Sequence, residues 1–333
     1  MQIPENNTYE LVIIGGGPIG IACALEAQKK KLSYIILEKG CLVNSLYHYP
    51  TNMTFFSTSE KLELDNIPFI SNNPKPGKRE ALEYYRRIAT SNKINIKLFE
   101  KVTSVNTKPD KTHLITTTKA EYSAENVIVA TGFYDIPNYL GIPGEDLPKV
   151  SHYYNDPHYY ATQKTIVVGA SNSAVDAALE IFRKGGDVTM IVRNPEIGER
   201  VKYWVRPDIL NRIKEGSIKA YFNSNLKEIR DNEVVIETPE GEDILENDFV
   251  LLLTGYRPNF GFLQDMGINL STDGRKIPQY NEETMETNVP GIFLAGVICG
   301  GIETHKWFIE NSRIHAEMIM DHLSKKEKAP SNK

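Results

Sequence analysis

Val12–Gly40 reads VIIGGGPIGIACALEAQKKKLSYIILEKG. An apolar run, Leu11–Ile14, enters a string of glycines. A helical stretch, Ile19–Lys31, and a second apolar run, Tyr34–Leu37, follow. The pattern is strand, turn, helix, strand. Within the turn the glycines fall as Gly15-x-Gly17-x-x-Gly20, and each has its own task. Gly15 permits the tight turn off the strand, Gly17 lets a pyrophosphate approach the backbone, and Gly20 lets the helix pack on the strand. Pro18 and Ile19 lie inside this loop, where the helix start offers free N–H groups and a positive partial charge. Glu38 stands 18 residues beyond Gly20, at the end of the second strand, placed to hold a ribose diol with Lys39 beside it. The glycine spacing alone would also suit a plain tight turn. Strand, glycines, helix, strand and acid in this order favour a dinucleotide site.

The same unit recurs about 150 residues later as TIVVGASNSAVDAALEIFRKGGDVTMIVRN, Thr165–Asn194. Here the loop is degenerate: Gly169-x-Ser171-x-x-Ala174. Ala174 still permits close helix packing, and Ser171, Asn172 and Ser173 can add side-chain hydrogen bonds to phosphate. Arg193 closes the second strand, where an NAD site prefers an acid, and a cation there suits the 2′-phosphate of NADPH. Arg200 and Lys202 can join it, since guanidinium geometry matches phosphate. The competing reading of Arg193 is a solvated strand-end charge.

Two glycine-loop modules in one chain of 333 residues give an α/β fold of two Rossmann-like domains, three-layered, with the second inserted into the first. Between the modules, Lys78–Ser91 reads as a helix, and Ile94–Phe99, His113–Thr118 and Asn126–Val129 as strands. Pro137, Pro143, Pro148 and Pro157 mark one irregular crossover, and Gly255 to Pro258 marks another. The expected division is residues 1–157 and 250–325 for the first domain, 158–249 for the second, and a flexible tail over 326–333. Two further strands end in small residues: Val127–Val129 runs into Ala130-Thr131-Gly132, and Leu251–Leu253 into Thr254-Gly255. A last strand, Ile292–Ala295, ends at Gly296, and a helix begins near Trp307.

Composition narrows the function. Hydrophobic residues make up 41% and charged residues 24%, ordinary for a globular protein. The net charge of −5 gives no basic platform for nucleic acid. The apolar runs are strand-length, short of the roughly 20 residues a membrane helix needs. Met1–Glu10 has no leader pattern. Cys23, Cys41 and Cys299 form no CxxC, zinc or disulfide pattern, which points to a reducing cytoplasm and no metal.

Longer strings carry a resemblance. They are Ser45-Leu46-Tyr47-His48-Tyr49-Pro50-Thr51, Thr54-Phe55-Phe56-Ser57, Leu147-Pro148-Lys149-Val150, His152-Tyr153, Asn172-Ser173-Ala174 with Asp176–Glu180, Gly296-Val297-Ile298 and Phe308-Ile309-Glu310-Asn311. They span nearly the whole chain, which resembles thioredoxin-reductase-like flavoproteins with two dinucleotide domains. It is most similar to the YpdA family of bacillithiol disulfide reductases. The resemblance implies FAD on the first module, NADPH on the second, a low-molecular-weight disulfide as substrate and a role in redox homeostasis. It brings Ser45, Tyr47, His48, Ala130, Thr131, Gly132, Gly296, Val297 and Phe308 to the FAD site and Gly255 to the NADPH site. By analogy it implies a homo-oligomer, dimer or tetramer. Two departures stand out. Many such flavoproteins end the last motif in Gly-Asp, and this chain has Gly296-Val297. Some YpdA-like proteins carry a cysteine before the third glycine, and this chain has Ile19.

Without a CxxC, electrons pass from flavin to a bound disulfide directly or through one thiol. Cys299, in the glycine-rich turn, is the candidate thiol. Cys23 reads as helix packing and Cys41 as structural. Of the histidines, His305 is the candidate proton donor, because the last helix of this architecture starts beside the flavin. His152 and His158 are weaker. The aromatic run Tyr47–Tyr49 with Phe55 and Phe56 either walls the flavin or packs the core. Tyr153, Tyr154, Tyr159 and Tyr160 either line a cleft or pack the crossover. The alternative activities are a flavin monooxygenase, a ferredoxin/flavodoxin–NADP reductase and a flavin redox sensor without turnover.

Overall fold

A computed structural model of the chain describes residues 7–328. The chain forms two compact units. One takes the chain through 48, then 53–136, then from 257 onward; the other takes 49–52 and 137–256.

The first unit opens with β1 (Thr8–Ile14), α1 (Pro18–Lys29) and β2 (Tyr34–Leu37). β2 is buried at every position, as is the last half of β1, which is why both read as unbroken apolar runs. Next come α2 (Asn44–Tyr47), α3 (Lys78–Ser91), β3 (Ile96–Lys97), β4 (Val102–Thr107), β5 (His113–Thr117) and β6 (Glu121–Val129). Glu80 fixes the start of α3 by accepting the Gly77 N–H at 2.8 Å, and Ala81, Tyr84, Tyr85, Ile88 and Ala89 form its buried stripe. The strand order is β3-β2-β1-β6-β5-β4, with β3 to β6 parallel and β5 and β4 antiparallel.

The chain then enters the second unit: β7 (Ile136–Pro137), β8 (Val150–Ser151), β9 (Lys164–Val168), α4 (Asn172–Arg183), β10 (Asp187–Val192), α5 (Arg206–Lys214), β11 (Lys219–Phe222), β12 (Asn225–Ile229), β13 (Glu233–Thr238), β14 (Gly241–Glu246), β15 (Phe249–Leu252) and β16 (Tyr256–Arg257). Its parallel sheet runs β11-β10-β9-β15-β8, and β12-β13-β14 form an antiparallel sheet. One face of α4 (Ala174, Val175, Ala177, Ala178, Leu179, Ile181) packs with Val188, Met190, Tyr154 and Tyr160 in a single core. Those two tyrosines therefore pack the crossover. Because β8 and β15 pair inside this sheet, the contact division falls at 136/137 and 256/257, wider than the expected 157/158 and 249/250.

Returning to the first unit, the chain forms α6 (Phe260–Asp265), β17 (Ile292–Leu294), α7 (Ile309–Ser312) and α8 (Ile314–Lys328). β17 runs parallel to the second half of β6, and α8 packs on α1. The parallel strands thus read β3-β2-β1-β6-β17 in one unit and β11-β10-β9-β15-β8 in the other, the same arrangement twice. Of the expected tail, residues 326–328 continue α8, and 329–333 lie outside the described residues.

Candidate functional site: two dinucleotide cradles

In the first unit Gly15 leaves β1 at φ +111 and donates its N–H to Leu37 O at 2.9 Å. A Cβ there would lie 2.6 Å from Ala130 O, so the turn is pressed against the end of β6. A Cβ on Gly20 would lie 1.9 Å from Gly15 O, which is the close helix–strand packing that glycine permits. Gly17 behaves differently. It caps α1 in ordinary extended backbone, and a Cβ would meet no protein atom within 4 Å. That open backbone is where a pyrophosphate can approach. Pro18 follows at the first helical position, where no N–H is needed.

Glu38 is 6% exposed, and its carboxylate accepts the Gly16 N–H at 2.6 Å and the Gly40 N–H at 2.8 Å. Burial pushes its pKa above the usual carboxylate range, outweighing those two bonds. Lys39 is paired with Asp135 at 2.6 Å. Thr131 Oγ1 is buried with no hydrogen-bond partner among the described residues, and Gly132 turns at φ +71 with open space around it. An orphaned hydroxyl, an open glycine and a buried ribose-type acid fit FAD.

α2 carries Ser45, Tyr47 and His48 past this loop, tied to it by the Val43 N–H bond to Gly16 O. Tyr47 is 55% exposed, edge-on to His48, with Lys78 Nζ 5.6 Å from its ring centre. Phe56 is equally exposed, so neither aromatic is core. At the other end Gly296 follows β17, and Ile19 packs against it, 3.3 Å from where a Gly296 Cβ would stand. The Gly296 N–H donates to Nδ1 of His315, a buried residue with no sequence signal of its own. Val297 begins the next turn, and Phe308, half exposed, precedes α7.

The second cradle repeats the first at its opening glycine. Gly169 sits at φ +130, donates to Ile191 O at 3.0 Å, and a Cβ would lie 2.6 Å from Leu253 O and 3.2 Å from the Ala174 methyl. Thr254 and Gly255 follow, bound to Asn138 by Thr254 Oγ1 to Asn138 O at 2.7 Å and Asn138 N to Gly255 O at 2.9 Å. Ser171 and Ser173 are exposed at the start of α4.

Three expectations change here. In β2, Ile14 pairs with Leu37 and Glu38 follows; in β10, Val168 pairs with Ile191, so the residue in Glu38's place is Val192, not Arg193. Strand alternation buries Val192 and turns Arg193 outward, at the place of Lys39. The ribose position therefore carries no acid. Asn172 and Lys202 are committed elsewhere than on a phosphate. The Asn172 amide donates to Arg200 O at 3.1 Å and accepts from Lys202 N–H at 2.8 Å, and Lys202 Nζ pairs with Asp176 at 2.7 Å. They clasp the loop bearing Arg200 to α4. Arg193 and Arg200 remain exposed, with no ion-pair partner among the described residues.

The third change concerns the candidate thiol. Cys299 is 1% exposed, and burial pushes its thiol strongly upward; Cys23 is fully buried and pushed up to about 12. In both places burial favours the protonated thiol over the thiolate. Cys41 is half-buried beside Asn44, also raised by burial. His305 is exposed next to Trp307, and His158 is exposed. His152 is half-buried 3.6 Å from Glu145, with burial holding it below the usual imidazole range. Among the described residues no cluster of three or more His, Cys, Asp or Glu could hold a metal, and no helix is long and apolar enough to cross a membrane.

Two cradles of this kind define an FAD- and pyridine-nucleotide-dependent oxidoreductase. Residues 12–296 match the pyridine nucleotide-disulphide oxidoreductase family model, and the chain belongs to that family. It is 43% identical over 95% of its length to bacilliredoxin reductase Bdr of Bacillus subtilis (strain 168), covering 98% of that protein. Its structure is similar to bacillithiol disulfide reductase Bdr (YpdA) from Bacillus cereus, with TM-score 0.93, 38% identity, and 96% and 99% of the two chains covered. The Staphylococcus aureus enzyme of that name gives TM-score 0.94 at 37% identity over 97% and 100%.

Proposed function

We propose that this oxidoreductase uses NADPH to reduce a low-molecular-weight thiol disulfide of the bacillithiol type. The observation that carries the reading is a pair of dinucleotide cradles without an internal dithiol: the three cysteines are unpaired, and the two nearest the first cradle's helix and last turn are buried. Bound FAD supplies hydride acceptance from a nicotinamide and two-electron delivery to a disulfide. The balance is NADPH, a proton and a disulfide giving NADP⁺ and two thiols.

The protein's own residues bind and orient. Gly17 and the start of α1 would receive the pyrophosphate, Glu38 would hold a ribose hydroxyl, and Thr131 would gain a partner for its hydroxyl. In the second cradle Val192 offers no acceptor to a free 2′-hydroxyl, while Arg193 and Arg200 supply charge for a 2′-phosphate. Ser171 and Ser173 add hydroxyls there.

The test is anaerobic NADPH consumption by the purified yellow protein with a panel of disulfides. Bacillithiol disulfide turnover supports the reading. The B. subtilis relative's name favours a second acceptor, the protein bacilliredoxin. Turnover that requires added oxidised bacilliredoxin selects that one. Substrate-dependent oxygen uptake or ferredoxin reduction would replace both. A cytoplasmic site and a homodimer or tetramer complete the proposal, the latter checked by light scattering.

A further inference from the structure

Gly296 is the point where β17 gives way to the turn Val297–Gly300. Its backbone, at φ +89 and ψ −157, is in a region that residues other than glycine enter only at a cost. Something must hold it there. On one side Ile19 packs on it, and Ile19 lies inside the first glycine loop between Gly17 and Gly20. On the other side its N–H donates to Nδ1 of His315 at 3.1 Å. His315 is 1% exposed, its ring edge-on to Trp307 with centroids 4.6 Å apart, and Cys299 Sγ lies 3.9 Å from the same nitrogen. Because Nδ1 accepts, the neutral ring carries its proton on Nε2. Burial pushes the imidazole down to about 4, so it stays neutral and able to accept throughout the neutral range.

We propose that His315 is a positioning residue for the flavin: by accepting the Gly296 N–H it fixes the Gly296–Val297 turn against Ile19, and so completes the first cradle before FAD arrives. This rests on the FAD reading of that cradle. Without the acceptor the turn is ordered for only part of the time, and FAD binding bears the ordering cost; a tenfold drop in the ordered fraction raises the apparent dissociation constant tenfold.

The experiment compares wild type with His315→Phe and His315→Asn. Phe keeps a ring beside Trp307 and removes the acceptor; Asn can place Oδ1 where Nδ1 stood. His315→Leu is a second acceptor-free variant should Phe not fold. Each protein is stripped of flavin and titrated with FAD by flavin fluorescence, and the apo melting temperature and the visible spectrum of the reloaded flavin are recorded. The expected result is an FAD dissociation constant raised roughly tenfold in Phe or Leu. In Asn the constant should stay within about threefold of wild type, with the spectrum altered only where the acceptor is missing. Equal losses in Asn and Phe overturn the proposal. So does a lowered apo melting temperature with an unchanged dissociation constant, which would make His315 packing alone. Wild type that takes up no FAD would overturn the cofactor reading itself; wild type that binds FAD beside indifferent variants overturns only the role of His315.

Discussion

Gly17 and Gly20 look alike in sequence, yet substitution at the two should fail in opposite ways. Gly17 has φ −76 and ψ −179, backbone that any residue adopts, and a Cβ there meets no protein atom within 4 Å. Gly17→Ala should therefore leave the apo fold intact, or stabilise it by about 0.4–1 kcal/mol through the unfolded chain's lost freedom. The added methyl instead stands where the pyrophosphate comes in. Pushing the phosphate off one charged hydrogen bond costs about 1.5–3 kcal/mol, so FAD affinity should fall roughly tenfold to a hundredfold, and further in Gly17→Val. Gly20→Ala puts a Cβ 1.9 Å from Gly15 O, backbone that cannot swing aside, and should destabilise the apo protein by about 1–3 kcal/mol or more. The assay is a thermal melt of each apo-protein beside a fluorescence titration with FAD. A Gly17→Ala protein that melts several degrees low, or a Gly17→Val protein that binds FAD as wild type does, would contradict a pyrophosphate at Gly17.

Arg193→Ala should raise KM for NADPH roughly tenfold or more, since a charged hydrogen bond contributes about 1.5–3 kcal/mol, with KM for NADH little changed; equal effects on both would contradict the 2′-phosphate assignment. Asn172→Ala cuts both bonds of the clasp on the Arg200 loop and should raise KM for NADPH while kcat holds, a split visible in steady-state kinetics. Stability should also fall in acid. His113, His152 and His315 are all held below the ordinary imidazole value by burial, so between about pH 6.5 and the folded values the unfolded chain binds more protons. Their contribution is complete above about pH 6.5 and is lost as pH drops toward 4; the His315 shift alone, from 6.5 to about 4, corresponds to about 3 kcal/mol. Apo melts at pH 7 and pH 4.5 should differ less in His315→Asn than in wild type.

What the sequence disclosed was what periodicity and glycine spacing record. β2 and α3 fall where apolar runs and helical spacing put them, because a strand buried on both faces and a helix with one buried stripe each leave a strong local pattern. The antiparallel strand β14 left no such trace: it is almost wholly exposed and rich in acids, so its place is set by pairing with β13 rather than by its own composition. Gly15 and Gly20 were legible because backbone proximity demands glycine at both. Asn172 and Lys202 were not, because residue type cannot tell a phosphate ligand from a clasp on a neighbouring loop. His315 sits on α8, nineteen residues from Gly296 by numbering yet bonded to it, a juxtaposition only the fold creates. The one-residue slip at Arg193 came from counting along the chain; cross-strand register corrected it.

One polypeptide is proposed to hold FAD in its first cradle and to receive reducing power from a nucleotide in its second. Anaerobic titration of the purified protein with NADPH, followed in the visible flavin band, tests it most directly. One FAD per chain, bleached by stoichiometric NADPH and restored by bacillithiol disulfide, is the predicted result. Colourless protein that takes up no FAD, or a flavin band that NADPH leaves unbleached, would contradict it.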